Sequence, residues 1–533
     1  MLQLKEPATT SSPAVLRDSR CRMMRHCSRL MFLLLVVALA PGAWARGPGG
    51  QLRLEVVDPA TREPIACRMH LRNSAQRALK APKVPFFHDH FVFDGSITLK
   101  LPEGEYAFEI ERGPEYLVRS GHFTMQNFSD DRKVVELNRF VDMAKDGWWS
   151  GDLDVERPVK DLPLLMSAED LHVVELVTWP GGKKLLPKTG VPDDPVLELS
   201  PGAFAHLAAA RSGGPSGSLM LFNVPSPREF FSEDRPKRNQ IELIDAARRE
   251  EQTWIDAREA CGWDIPVLVA HGMLDSVELA NGELGRKAIA ATKSTGCRPR
   301  DERLYPGPAG NARWNETIYY HLLNCGLRLP PTAGSGSGTA SNPLGYNRVY
   351  VHLEGELSYQ KWFDGLRAGR VVVTNGPLIR PTVEGELPGH VFQASRGEDV
   401  ELEVGLTLST RDPISYLEIV KNGEPIQQVR LKEWERLKGK LPLVPFKESG
   451  WFLIRAVTDL AETHRFATTG PYYVEIGDRS RISKSSAQFF ADWVDERVAS
   501  IEQNGSYARE SEREFYRQAR QFWKQKVAEA NAP

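Results

Sequence analysis

The chain has 533 residues, with 68 Lys and Arg against 70 Asp and Glu and a formal net charge of −2. That length exceeds what one hydrophobic core fills, so two to four domains are expected. The composition, 41% apolar and 26% charged, is that of a folded globular protein. It has no block of Lys and Arg of the kind a nucleic-acid footprint requires.

Arg22, Arg25 and Arg29 precede an apolar run from Leu30 to Ala40, followed by Pro41-Gly42 and then Ala43-Trp44-Ala45 before Arg46. This is the pattern of a secretory signal peptide over residues 1–45, because the run is too short to span a bilayer. Met23 and Met24 are alternative starts. Removing residues 1–45 takes away six Lys/Arg and two Asp/Glu, leaving 62 basic and 68 acidic residues, a net of −6. No second apolar run approaches membrane-spanning length, so a secreted, periplasmic or cell-envelope protein is expected. Cys67, Cys261, Cys297 and Cys325 remain. Their spacing fits no zinc motif and they are too few for a disulfide framework; Cys297 with Cys325 is conceivable, and free buried thiols are expected.

Residues 46–141 alternate with period two: Leu52, Leu54 and Val56; Ile65, Cys67, Met69 and Leu71; Ile97, Leu99 and Leu101; then Tyr106, Phe108 and Ile110 after a Pro-Glu-Gly-Glu turn. Short alternating strands separated by turn residues predict a β-sandwich. Over 142–380, apolar strands such as VVELVTW (173–179), LMLFNV (219–224), IPVLVAHG (265–272) and SVELAN (276–281) alternate with helical stretches, among them 240–262. That order predicts parallel strands, in a barrel or an open sheet, with chemistry at the strand ends. Residues 334–343, GSGSGTASNP, read as a linker inside this part and need a topological or functional reason. A second β-sandwich is expected over 381–478, with Asn422-Gly423 as a hairpin turn, and helices over 479–533.

Within GWWSGDLDVERP (147–158), Asp152, Asp154 and Glu156 alternate with Leu153 and Val155 and so project from one strand face. Carboxylates stacked this way need a cation, a base or water between them. The segment WWSGDLDVERPVKDLPLLMSAEDLHVVELVTW resembles the opening of the CehA/McbA-like metallohydrolases of the PHP (polymerase and histidinol phosphatase) superfamily. The likeness continues through 305–331, 342–381 and 387–392, and includes HDHFVFDG and IERGPEY in the first sandwich. It implies a distorted (β/α)7 barrel flanked by the two sandwiches, with divalent metal at the strand ends and hydrolysis of an ester or phosphoester. The chain departs from the family pattern at three ligand clusters. Asp154 and Glu156 replace two histidines, Thr178-Trp179-Pro180 stands where Thr-Asp-His is expected, and Gly334–Gly338 replaces a Gly-Ser-Asp-x-His-like segment.

The metal candidates are therefore Asp154, Glu156 and His271, holding a divalent ion that lowers the pKa of bound water. Asp152 and His271 are the catalytic candidates. Hydrogen bonds to backbone, or pairing with an arginine such as Arg157, are the plain alternative for the carboxylates. His88-Asp89-His90 is a weaker metal signal that needs a third ligand such as His122; a hydrogen-bonded loop is its alternative. The second functional expectation is a non-catalytic cell-envelope protein that binds a glycan or protein ligand, with Trp148, Trp149 and Trp179 stacking on sugar rings.

Overall fold

The computed structural model describes residues 49–179, 192–214, 216–225, 240–249, 252–290, 296–437, 440–503 and 510–533. The signal peptide expected over 1–45 lies outside them. The first β-sandwich forms as its alternation predicts. A three-stranded sheet of Gly49–Val57, Ser96–Pro102 and Asp130–Glu136 faces a five-stranded sheet that includes Cys67–Asn73, His90–Phe93 and Gly104–Glu111. Leu52, Leu54 and Val56 from one sheet meet Met69, Leu71, Phe91 and Ile110 from the other in one core.

The (β/α)7 barrel expected for the middle of the chain is not the architecture found. Among the described residues strand accounts for 40% and helix for 22%. The middle strands belong to a sixteen-stranded mixed sheet that runs on into the C-terminal part. Its pairs are parallel from Trp148–Val155 through Val173–Trp179 to Ala203–Ser212, then antiparallel to Leu219–Phe222 and Trp254–Ala257. They are parallel again through Ser276–Ala280 to Pro331–Ala333. On its other side Trp148–Val155 pairs antiparallel with Arg348–His352, and the sheet continues through Val371–Thr374 to Phe466–Thr469.

Two sequence readings fail here for local reasons. Among the described residues of 240–262 the helix covers Gln240–Arg248, and Trp254–Ala257 is a strand, because Ile255 and Ala257 go into the sheet core at 0% exposure. Residues 265–270, expected as a strand, are helical; Pro266 fits the first turn, where its missing N–H costs nothing. Strand and buried helix both read as short apolar runs.

The C-terminal sandwich packs a sheet of Leu378–Val383, Val400–Ser409 and Lys440–Phe446 over strands of the large sheet, with Val404, Ile419, Val444 and Ile454 between them. Asn422 and Gly423, at φ 53° and 91°, form the hairpin turn expected of them. Two helices, Lys484–Gln503 and Glu510–Glu529, close the chain. Trp523 donates to the Pro266 carbonyl at 2.8 Å, and Tyr516 and Arg497 donate to Asp264 at 2.7 and 2.8 Å.

The cysteine expectation is also corrected. Cys261 and Cys297 form a disulfide, with Cα atoms 4.9 Å apart, while Cys67 and Cys325 are buried free thiols. The bond spans 36 residues, and constraining a loop of that length in the unfolded chain is worth about 2–4 kcal/mol. Cys297→Ala is expected to lower unfolding stability by about that amount in chemical denaturation. An unchanged midpoint under non-reducing conditions would show that the bond contributes nothing.

Candidate functional site

The strand Trp148–Val155 is covered on both edges and nearly every position is buried. Gly151 sits where the ring of Trp362 packs; a Cβ there would come within 2.4 Å of it. Trp362 in turn donates to the Trp149 carbonyl at 2.9 Å. The Ser-Gly break before the carboxylates is therefore a packing requirement.

Asp152 is wholly buried and accepts backbone N–H groups from Ser335 at 2.8 Å, Gly345 at 2.7 Å and Asp154 at 3.2 Å. Burial raises its pKa to about 6 against these bonds. It fastens the 334–345 ribbon to the strand, and Ser337 completes the junction by bridging to Val155. The segment that reads as a linker is in fact buried from Ala333 to Ser337. Gly334 has no room for a side chain, since a Cβ would approach the Cβ of Asp154 to 2.5 Å.

Asp154 and Glu156 do lie together, and the cations between them are arginines. Arg211 bridges both carboxylates, reaching Glu156 Oε1 at 2.6 Å, while Arg258 Nε holds Asp154 Oδ2 at 3.1 Å. Burial alone would raise the Asp154 pKa; Arg211 and Arg258 outweigh it and hold the carboxyl low. Arg157 is not the partner: it donates to Ser337 Oγ at 3.1 Å and its guanidinium lies 3.7 Å from the Phe87 ring centroid.

His271 is elsewhere. It caps the helix Ile265–Ala270, and its Nε2 lies 3.0 Å from the Phe515 carbonyl, with the Phe515 ring edge-on. Asp154, Glu156 and His271 are not among the clusters of potential metal ligands found in the described residues. The donor set the resemblance implies does not fit a divalent ion here, because guanidinium groups already neutralise its carboxylates.

Glu278 and Asp256 extend this buried cluster. Both Glu278 oxygens lack a hydrogen-bond partner among the described residues, and burial, reinforced by Asp154, pushes its pKa well up. Asp256 accepts from Ser276 and Thr332 at 2.5 and 2.6 Å and is raised to about 6 by burial. Trp148 is buried in the C-terminal core against His352, and Trp149 packs edge-on to His172. The Trp179 side chain lies outside the described residues.

A strongly charged hollow lies on the far side of Gly345, the residue whose N–H Asp152 accepts. A cavity of about 580 Å³ is lined by Arg68, Arg119, Arg286, Arg348, Arg411 and Arg465. Four carboxylates share its wall, those of Glu109, Glu111, Glu169 and Asp412, so the lining carries two excess positive charges. Glu111 is claimed by Arg68 at 2.6 Å and by Arg286, and Asp412 by Arg465 at 2.8 Å. Burial works against the charges of Arg286 and Arg411 and the Arg68 cation adds to that on both, while Glu111, 3.7 Å from Arg411, offsets part of it there. Guanidinium stays protonated at any working pH, so such crowding is relieved by an anion. Arg348 is 1% exposed, and its Nη1 has no hydrogen-bond partner among the described residues. A larger hollow, about 1070 Å³, opens between the helix Gly310–Asn324 and the C-terminal sheet, but there Arg455 is neutralised by Glu316 and Glu418.

No family profile matches the chain, and no curated protein matches it. Partial structural likenesses are found to the Bacillus anthracis TIE protein (15% identity, 21% of this chain and 20% of that one, TM-score 0.15) and to Clostridium thermocellum CbhA fibronectin(III)-like modules (19% identity, 18% of this chain and 96% of that one, TM-score 0.13). Another is to Bacteroides uniformis beta-glucuronidase 3 (11% identity, 78% of this chain and 61% of that one, TM-score 0.15). The chain spans one fifth of the length of the first of these. Likenesses at this level establish no shared fold or function.

Two outcomes follow from the carboxylate cluster. Arg258→Met leaves Asp154 with one cation and is expected to cost on the order of 3 kcal/mol of stability. Asp154→Asn in the same chain should recover part of it in a double-mutant cycle; equal stability of the wild type and Arg258→Met would contradict the pairing. Asp152 and Asp256 bind a proton more tightly folded than unfolded. Stability should therefore rise as pH falls from about 7 through about 6 and level off below about 4, where unfolded carboxyls are also protonated. Asp256→Asn should flatten that slope in urea titrations at pH 7 and pH 5.

Proposed function

We propose that the protein is an exported, non-catalytic binding protein of the cell envelope whose ligand is a small multiply charged oxyanion. The observation that carries this is the cavity with six arginines and an unmatched positive charge. Its volume falls within the roughly 300–1,000 Å³ common for small-molecule sites. Planar guanidinium forks suit carboxylate, sulfate or phosphate groups. Exposed Leu117 and Val118 lie in the same wall and offer an apolar face to the ligand's carbon skeleton. Export is supported by the Arg-flanked apolar run before Ala45 and by the Cys261–Cys297 disulfide, a bond at home in oxidising compartments. Descent from a PHP-type metallohydrolase is part of the proposal. In this reading the ester- or phosphoester-hydrolysing site went out of use when Arg211 and Arg258 took up its carboxylates.

Calorimetric titration of the full chain against uronic-acid, sulfated and phosphorylated saccharides tests this directly. At least one class should bind with an affinity that falls as salt rises. Arg411→Met or Arg119→Ala should weaken it about tenfold or more, the loss of one charge-assisted hydrogen bond. Absence of binding at about 1 mM across the panel, or binding indifferent to both substitutions, would overturn the proposal.

A further inference from the structure

We propose that the first β-sandwich holds a divalent transition-metal ion between His70, Asp89 and His90. His70 lies on the strand Cys67–Asn73 and His90 opens its antiparallel neighbour, His90–Phe93. The register pairs Met69 with Phe91, and its next step sets His70 opposite His90, with ring centroids 5.1 Å apart. Asp89 is delivered by the tight turn that precedes His90. That turn places His88 at φ 47°, exposed, so His88 is not the partner its spacing suggests. His122 is exposed on the strand Arg119–Met125, separated from His70 by Gly104–Glu111. The third and second ligands thus come from positions that the His-x-His spacing did not indicate.

Asp89 Oδ1 lies 3.3 Å from His70 Nδ1 and 3.2 Å from His90 Nδ1. Two ligands each 2.0–2.1 Å from a tetrahedral zinc ion are about 3.3–3.4 Å apart. These two separations are compatible with neighbouring ligands of one ion, and the ligand atoms of the three residues all lie within 4.8 Å of one another.

A second observation is independent of this spacing. The His70 side chain is 4% exposed, yet neither ring nitrogen makes a hydrogen bond among the described residues. Its Nδ1 is close to Asp89 without the alignment of a hydrogen bond, and its Nε2 is 3.9 Å from Glu111 Oε1. A buried imidazole with two unused nitrogens costs free energy unless something binds it. The cations around Asp89, Lys287 and Arg72, approach Oδ2 and not Oδ1; Oδ1 is hydrogen-bonded to His90 Nδ1 at 3.2 Å, a contact that a shared metal ion would replace. Glu111 is the weaker fourth candidate, since Arg68 and Arg286 already hold it. Two imidazoles and one carboxylate favour zinc, iron or nickel over magnesium or calcium, and three protein ligands leave a coordination position open.

The test uses the full chain, stripped with chelator and dialysed against Zn²⁺ and, separately, Co²⁺. Elemental analysis should find one Zn²⁺ per chain, and Co²⁺ should give a visible d–d absorption band. His70→Gln and His90→Gln keep the side-chain volume and should each lower Zn²⁺ affinity by roughly 100-fold, since even an outer-shell change costs about 10–100-fold. His122→Ala should leave it unchanged. Titration of oxyanions into the same variants distinguishes this site from the arginine cavity, because that binding should persist without metal. Wild-type Zn²⁺ binding weaker than about 1 mM, or binding that survives both glutamine substitutions in folded protein, would overturn the proposal.

Discussion

Much of the middle of the molecule depends on the burial of one strand, Trp148–Val155, with two carboxylates on it. A strand paired on both edges and covered on both faces supplies no water to Asp152 or Asp154, so each must be satisfied by protein. Asp152 meets that demand with three backbone N–H donors and fixes the glycine-rich ribbon beside it. Asp154 meets it with two guanidinium groups, which draws the ends of the strands Ala203–Ser212 and Trp254–Ala257 toward the same point. Gly151 and Gly334 keep the space clear on either side.

The same constraint bears on function. Arginine is a permanent cation with fixed directionality, so it satisfies a carboxylate without the open coordination position that a catalytic metal keeps. With Arg211 and Arg258 in place, Asp154 and Glu156 are spent on stability. The arginines that are not fully neutralised line a different hollow, at the junction of the first sandwich with the large sheet. There the same chemistry, guanidinium crowded by burial and by other guanidinium, is what supports the proposed anionic ligand.

What could be read in the sequence was what period and turn chemistry encode. The alternation of Leu52, Leu54 and Val56 and the Asn422-Gly423 turn gave the sandwich strands because side-chain facing and positive φ are local properties. Residues 265–270 escape a sequence reading because a short apolar run carries no period that separates strand from buried helix, and the end of 240–262 escapes it because tertiary pairing draws Ile255 and Ala257 into the sheet core. The parallel barrel failed for a related reason: strand order and direction are set by long-range pairing, and Leu219–Phe222 turned out antiparallel to both neighbours. Asp154 and Glu156 were found as a pair by spacing, but Arg211 and Arg258, 57 and 104 residues away, carry no sequence mark beyond standing at or just after strand ends. His90 was singled out by its neighbour His88, while its actual companion His70 is visible only through strand register.

The claim that arginines, and not a metal ion, hold Asp154 and Glu156 is tested most directly by anomalous diffraction from crystals of the protein grown with manganese, an ion suited to carboxylate ligands. The account predicts guanidinium density between Asp154 and Glu156 and no anomalous peak within ligand distance of either. A manganese peak bridging the two carboxylates, with Arg211 or Arg258 displaced, would contradict it.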